Sequence, residues 1–573
     1  MYRTEYQKWL DSDALTGEEK AELTAIAGDE REIESRFFAP LSFGTAGLRG
    51  TMGVGLNRMN IHVIRHATQG FAEVILAAGE DAAEKGVVIC YDCRVNSELF
   101  AREAACVMAA AGIRVRLFSG MRPTPELSFA IRHYGATGGI NVTASHNPKE
   151  YNGYKVYWSD GAQLPPNHAQ TVAESMAATD IFLGVRTMDY DTALGRGLIT
   201  LLGAETDEVF LKKVMAQSII SAPVEQVADT FKVVYTPFHG TGRELVPAAL
   251  RRLGLRHVLL VEEQMTPDGT FPTVESPNPE NPEGFHLALE LAEKEAADLI
   301  IGTDPDADRV GVMARRQDGF QLVTGNQMGV LLLNYLIKAR KKQGTLPERP
   351  AAIKTIVTTE MARAVAEAAG VAMYNTFTGF KFMAEKMGEL SGREEVIFCY
   401  EESYGYMTGD FLRDKDAVTA SMLIAEMAAW YRMRNMTLFD GLDELYGIHG
   451  HYVEKTMNLI MPGLDGLRKM EDLMAGLRSD PPRDIAGQPV VTVRDYLPGE
   501  EIIGAVREKM ELSGSNVIGF TLQDGTNVLV RPSGTEPKVK VYILARGEDA
   551  AACQETVRRC TEFAEGLQGP QTK

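Results

Sequence analysis

Three times along this chain the same phrase recurs: an apolar run, a loop, an alanine-rich helical stretch, a glycine and a second apolar run. From Val87, VVICYDCR leads through EAACVMAAAGI to RVRLF; from Lys232, KVVYTPFHGTG leads through LVPAALRRLGL to HVLLV; from near Ala352, IKTIVTTE leads through ARAVAEAAGV to AMYNTF. Repetition on this scale constrains the fold more than any single residue, because each copy must be the same supersecondary unit. Gly112, Gly254 and Gly370 stand where a helix stops in a left-handed cap and the chain re-enters a sheet. Each copy is predicted to be strand, helix, strand, with a right-handed crossover and a parallel pair.

After each copy comes one more apolar segment ending in a polar loop: GGINVTASHNP, ADLIIGTDPDADR and EVIFCYEESYG. Ligands of open α/β sheets bind beyond the carboxyl ends of strands, so three equivalent strand ends would deliver these loops to one site. From about Tyr452 the pattern changes to short alternating segments, NVIGFTLQDGTNVLVRPSGTEPKVKVYILARG, and then the helical stretch DAAACQETVRRCTEFAEGL. This reads as a small antiparallel sheet with a following helix. A chain of 573 residues exceeds one hydrophobic core, and at roughly 150 residues per domain it should hold about four. The expected fold class is α/β: three related mixed-sheet α/β domains plus a smaller C-terminal α+β domain around a central cleft. The expected divisions are 1–205, 206–320, 321–450 and 451–573.

The formal charge of −19, from 59 basic and 78 acidic residues, argues against a nucleic-acid partner. Small phosphorylated substrates stay open, since a local cluster of Arg, Lys and backbone N–H groups suffices for them. The six cysteines are sparse, and the lone C-x-x-C, Cys90 and Cys93, ends an apolar run without a second ligand pair. They read as buried strand cysteines of a reduced protein, not as a zinc or redox site. The amino terminus has no apolar signal core, and the longest apolar stretch, GVLLLNYLI from Gly329, is broken by Asn334. At about half a membrane span, it points to a soluble, cytoplasmic protein with no membrane partner and no implied protein partner.

Asp304, Asp306 and Asp308 in GTDPDADR place three carboxylates at alternate positions after the run LIIG. A curled loop can aim all three at one hard cation; otherwise they form a solvated acidic turn. They are not an EF-hand, since Arg309 stands where that loop needs glycine and Arg315 where it needs glutamate. Ser145, in NVTASHNPKEYNGYK, is either a turn serine or a nucleophile, but it is not in a G-x-S-x-G elbow. RPSGTEPK is either a β-turn or a phosphate loop whose small residues expose backbone N–H groups. His146 and His239 either touch a ligand or brace their loops. GTG at Gly240–Gly242 lacks a third glycine at Leu245 and reads as a strand-to-helix turn.

Together TASHNP, DPDADR, EES and RPSGTEP occur in an order and spacing that resemble the α-D-phosphohexomutase superfamily over nearly the whole chain. FGTAGLRGTMG, TPFHGTG and RDKDA make it look like the long phosphoglucomutase branch that also contains phosphopentomutases. The resemblance implies a phosphoserine loop in the first segment, a metal loop in the second, a sugar loop in the third and a phosphate loop in the fourth. Ser145 would carry the exchanged phosphate, and Asp304, Asp306 and Asp308 would hold Mg²⁺ against it. Phosphorylation adds roughly −1.5 to −2 charge beside three carboxylates, so a counter-ion is required. Arg49 and Arg309 would add positive charge, with Lys415 as general base and His146 a further catalytic candidate. Thr378, Gly379 and Lys381 match a substrate loop, and Glu401 and Ser403 match the sugar-reading pair. Tyr400 stands where many phosphoglucomutases have glycine. Arg531, Ser533, Gly534 and Thr535 match the phosphate anchor. The implied activity interconverts glucose 1-phosphate and glucose 6-phosphate through glucose 1,6-bisphosphate, with small phosphorylated sugars as the only partners. The alternatives are a phosphopentomutase or phosphomannomutase of the same mechanism, a Mg²⁺-dependent phosphatase, and a non-catalytic sugar-phosphate-binding protein.

Overall fold

The computed structural model describes residues 2–44, 47–461, 466–533 and 538–568. The chain forms two compact units, one of Met1–Gly325, Met387–Glu389 and Ser403–Thr437, the other of Asn326–Lys386, Leu390–Glu402 and Leu438–Lys573. Among the described residues no helix is long and apolar enough to cross a membrane.

All three repeats take the predicted form. Strand Val87–Tyr91, helix Ser97–Ala110 and strand Val115–Phe118 make the first; Lys232–Thr236, Gly242–Arg252 and His257–Leu260 the second; Pro350–Thr355, Met361–Ala368 and Ala372–Thr376 the third. In each, the two strands pair in parallel. Gly112, Gly254 and Gly370 have φ of +78°, +109° and +76°, the left-handed cap that lets the chain leave the helix without a Cβ clash. The central strand reads VVICY and is buried at all five positions, because a parallel strand is covered on both faces. Cys90 lies within it, fully buried, its thiol donating to the Arg122 carbonyl.

In the first unit, six strands run in the order 48–51, 151–158, 138–142, 87–91, 115–118 and 199–202. Strand Tyr151–Trp158 is antiparallel to Gly138–Val142, which turns the chain back after the TASHNP loop. A second sheet of this unit has the order 319–323, 310–316, 299–303, 232–236, 257–260, again parallel except for the two strands that follow Leu299–Thr303. Three amino-terminal helices pack on this unit's core. The fully buried Trp9 meets Phe37 edge to face at 5.8 Å, and Thr16 with Glu19 forms a capping box that contributes about 1 kcal/mol. Helix Ala417–Arg432 also belongs to this unit, where Glu426 accepts from the N–H groups of Ile219 and Ile220.

In the second unit, strands 372–376, 350–355 and 395–401 are parallel neighbours. The carboxy-terminal sheet is wholly antiparallel, in the order 451–460, 538–547, 527–532, 518–522, 488–495, 500–503, 506–509, as the alternating segments predict. Helix Ala550–Gly566 covers it with Cys560 and Ala564 buried.

Candidate active site

Ser145 follows strand Gly138–Val142 at φ +50°, a left-handed conformation that costs a non-glycine residue on the order of 1–3 kcal/mol. Its surroundings hold it there. Thr143 Oγ1 accepts from the Ser145 N–H at 2.8 Å and donates to the buried Asp92 at 2.6 Å. The buried Arg94 guanidinium donates to the carbonyls of Ser145 (2.6 Å), Pro148 (2.9 Å), Tyr151 (3.0 Å) and Asn147. One side chain thereby grips four carbonyls of the loop. Arg49 donates to Asn147 Oδ1 at 3.0 Å.

The hydroxyl of Ser145 donates to Asp304 Oδ2 at 2.8 Å and lies 3.1 Å from His146 Nδ1. Asp304 opens the loop after strand Leu299–Thr303, where its other oxygen accepts from the N–H groups of Asp308 (3.1 Å) and Arg309 (3.0 Å). That bond pattern, with Ala307 at φ +48°, curls the loop so that the three aspartates converge. One carboxylate oxygen from each of Asp304, Asp306 and Asp308 lies within 4.8 Å of the others, and all three residues are buried.

Cations surround the cluster. Lys155 Nζ is 2.7 Å from Asp306 Oδ2 and 3.7 Å from Asp308 Oδ2; Lys415 Nζ is 3.2 Å from Asp308 Oδ2 and 3.5 Å from Asp414. Thr124 donates to Asp306 Oδ2 at 2.9 Å. Arg309 pairs with Glu280 at 2.8 Å. Burial, with the charge of the neighbouring aspartates, pushes Asp304 well above the usual carboxylate range and raises Asp308. Burial opposes the charge on Asp306 as well, but Lys155 and Thr124 hold it below that range. Burial and the nearby Arg309 and Arg49 drive His146 well below its usual value, so its ring is neutral.

A hard divalent cation fits these residues. Asp306 Oδ1 and Asp308 Oδ1 are buried without a hydrogen-bond partner, a state that persists where an ion supplies the missing partner. Oxygen-only donors at this spacing suit magnesium.

The second unit holds the predicted sugar- and phosphate-loop residues other than Ser403. Thr378 and Gly379, the latter at φ +112°, sit between strand Ala372–Thr376 and helix Phe380–Leu390, and Lys381 lies in the first turn of that helix. Lys381 lies over the Phe382 ring at 4.7 Å. Glu401 ends strand Glu395–Glu401, and the adjacent Glu402 accepts from the hydroxyls of Thr355 and Thr358, each at 3.1 Å. The ring of Tyr400 is fully buried, stacked on Phe398 at 5.3 Å and packed on Gly329, so it occupies core space that a Cβ at position 329 would need. Arg531 pairs with Lys540 across the antiparallel ladder, and the Ser533 N–H donates to the Lys538 carbonyl at 2.8 Å. Gly534 and Thr535 lie outside the described residues. Ser403, next in sequence to Glu402, belongs to the first unit.

Four successive family models match the chain: phosphoglucomutase/phosphomannomutase alpha/beta/alpha domain I at residues 40–181, domain II at 208–319, domain III at 324–447 and the C-terminal domain at 490–559. The chain belongs to the phosphoglucomutase/phosphomannomutase family. A phosphoglucomutase of Staphylococcus aureus strain MRSA252 is 37% identical over 531 residues, 91% of this chain and 92% of that protein. Its counterpart in strain N315 is 36% identical over the same shares. The fold is that of a putative phosphomannomutase from Thermus thermophilus (TM-score 0.69, 22% identity, 92% of this chain and 100% of that one). It is also that of parafusin, a phosphoglucomutase from Paramecium, in its open form (TM-score 0.65, 19% identity, 92% and 94%).

Three residues of this mutase-family site were not singled out by sequence: Lys155, Thr124 and Arg94. A lysine inside the aromatic-rich strand YNGYKVYW was a readable signal for Lys155, since a buried lysine needs a charge partner. His239 braces its loop: both ring nitrogens are bonded at 2.8 Å, to the Thr266 carbonyl and the Thr273 hydroxyl.

Proposed function

We propose that this chain is a phosphoglucomutase that exchanges phosphate between the 1- and 6-positions of glucose through Ser145, with Mg²⁺ held by Asp304, Asp306, Asp308 and the serine oxygen. The observation that carries the reading is the 2.8 Å contact of Ser145 Oγ with Asp304, inside a buried aspartate triad. The curated relatives named phosphoglucomutase support the choice of sugar. When bound, Mg²⁺ would neutralise charge on the phosphoserine and on the phosphoryl group in transfer.

In the forward direction, the free 6-hydroxyl of glucose 1-phosphate attacks the phosphorus of phospho-Ser145. A new P–O bond forms to the sugar, the P–Oγ bond breaks, and the hydroxyl proton leaves to a base. The product, glucose 1,6-bisphosphate, reverses its orientation and returns its 1-phosphate to Ser145 Oγ, releasing glucose 6-phosphate. Neutral His146, 3.1 Å from Oγ, is positioned to take the serine proton in that return step. Lys415 is assigned to the sugar hydroxyl. Its ammonium is paired with Asp308 and Asp414, so it serves as a base only when those carboxylates engage another cation.

Arg49 and Arg309 would offset phosphate charge. Glu401 and Ser403 would read sugar hydroxyls, Thr378, Gly379 and Lys381 would line the sugar, and Arg531, Ser533, Gly534 and Thr535 would anchor the non-transferring phosphate. Since the Tyr400 ring points into the core, the aromatic residue at that position does not argue against glucose. The setting would be cytoplasmic.

The test is parallel turnover of glucose 1-phosphate, mannose 1-phosphate and ribose 1-phosphate, with Mg²⁺ and a trace of glucose 1,6-bisphosphate. Fastest glucose turnover, lost in a folded Ser145→Ala variant, is the expected result. Substantial turnover by Ser145→Ala overturns the nucleophile, and phosphate release without a sugar acceptor makes the chain a phosphatase.

A further inference from the structure

We propose a second ligand site in the second unit: a cavity of about 580 Å³ suited to a phosphate monoester that carries hydroxyl groups. Helix Met361–Ala368 and strand Ala372–Thr376 form one wall, and the carboxy-terminal sheet forms the other. Its volume lies in the range of about 300–1,000 Å³ typical of metabolite pockets. Neither Glu401 nor Arg531 lines it. Its apolar floor, Ile356, Tyr496 and Leu529, belongs to a core cluster with Val357, Phe377 and Tyr542.

Charge gives the class of ligand. Three guanidinium groups, of Arg363, Arg494 and Arg546, line the cavity. Arg363 is paired with Glu360 at 3.0 Å and Glu367 at 3.7 Å, and Arg494 with Glu501 at 2.6 Å. Glu360 also accepts from the buried Lys354 at 2.7 Å. Among the described residues Arg546 has no carboxylate partner; it lies against the Tyr452 ring at 5.8 Å. Lys354, Arg363 and Arg494 are thus each engaged by carboxylates, with Glu402 and Glu454 adding negative charge near Lys354. Among the described residues, the cavity arginine left without an ion pair is Arg546, in a chain whose net charge is −19. A guanidinium fork of this kind grips phosphate oxygens in a bidentate way.

Hydrogen bonding adds the second requirement. Asn375 Oδ1, on the opposite wall, is buried and has no partner. A buried acceptor left unmade costs about 1–3 kcal/mol, and a ligand hydroxyl would satisfy it. On the sheet wall, Thr521 and Asn527 already bond each other at 2.6 Å, presenting a fixed polar edge to the cavity. A bare inorganic anion would meet the arginine and not the asparagine; a phosphorylated polyol meets both.

The probe is glycerol 3-phosphate, titrated calorimetrically into the full chain. Binding alone is read, so the outcome is independent of whether the chain turns over glucose. The expected isotherm has two classes of site. Arg546→Gln weakens one class by about tenfold or more, as loss of a charge-assisted contact should, and Arg531→Ala weakens only the other. The proposal fails if Arg546→Gln leaves the isotherm unchanged, if Arg531→Ala abolishes all binding, or if the wild type binds nothing up to about 20 mM. Wild-type crystals soaked in tungstate give a check that needs no variant. An anomalous peak at Arg546 supports the site, and peaks confined to the Arg531 loop overturn it.

Discussion

Lys155 Nζ stands 2.7 Å from Asp306 Oδ2, and the lysine is almost wholly buried. The pair sits inside the carboxylate triad, so the protein supplies a resident cation before any metal arrives. Replacing Lys155 by Met leaves Asp306 buried without its partner, which typically costs about 3–5 kcal/mol. Urea unfolding of Lys155→Met in EDTA should show a loss of that size, partly restored by Mg²⁺. No loss in EDTA would mean that Lys155 does not hold the Asp306 charge.

If the unpartnered oxygens of Asp306 and Asp308 are metal ligands, a cation that binds only the folded chain must raise its melting temperature with concentration. Mg²⁺ should raise the wild-type midpoint and EDTA lower it, with Asp306→Asn responding little to either. Equal responses in wild type and variant would place the ion elsewhere.

How much of this was legible beforehand depended on how local the signal was. The three repeats, their parallel pairs and the capping glycines were readable because periodicity and helix termination are written within a dozen residues. The aspartate triad was readable for the same reason, its members being alternate residues of one loop. Lys155 and Thr124 were not, because they reach Asp306 from 151 and 182 residues away, and only the packing of the unit's two sheets and the helix Thr124–His133 brings them there. Arg94 was hidden differently: its work is on backbone carbonyls, which leave no mark in side-chain spacing. The ring of Tyr400 shows the limit of matching motifs, since its direction is set by Gly329 in a separate helix.

Arg94 holds the Ser145 loop by four carbonyls, and Ser145 itself sits in a disfavoured backbone conformation. Arg94→Met should therefore slow turnover while changing the glucose 1-phosphate KM less, because the reacting oxygen is misplaced and the sugar contacts are not. A fall of about 100-fold in kcat corresponds to about 2.7 kcal/mol at the transition state. A variant that raised KM alone would show that Arg94 binds substrate and does not position the serine.

Glu454, hydrogen-bonded to Thr359, is pushed up to about 7 by burial. A carboxyl whose folded value lies above its unfolded one contributes stability that is complete below the unfolded value, near the ordinary 4.5. That contribution is lost as pH rises through about 7. The wild type should lose melting temperature between about pH 5 and about pH 8 to a greater extent than Glu454→Gln, which cannot ionise. Parallel thermal scans at the two pH values decide it, and identical slopes would remove Glu454 from the account.

Gly240 lies against the aspartate loop itself. A Cβ there would stand 2.5 Å from Pro305 Cα and 2.6 Å from its carbonyl oxygen, and the next residue, Thr241, donates its N–H to that same oxygen at 2.8 Å. Pro305 is flanked by Asp304 and Asp306, so the clash cannot be relieved by a flexible side chain; the backbone of the triad must move. Overpacking of this kind costs about 1–3 kcal/mol, and displaced ligands weaken a site that needs near-ideal geometry. Gly240→Ala should fold, with a lower melting temperature, and require more Mg²⁺ for half-maximal turnover than the wild type. Gly242→Ala is the comparison, since its Cβ would meet the Tyr235 and Thr303 hydroxyls at 2.3 and 2.6 Å and, in the aspartate loop, only the Ala307 Cβ at an ordinary 3.4 Å. If both variants lose stability but only Gly240→Ala shifts the Mg²⁺ requirement, the glycine is there to let the aspartate loop close on its ion.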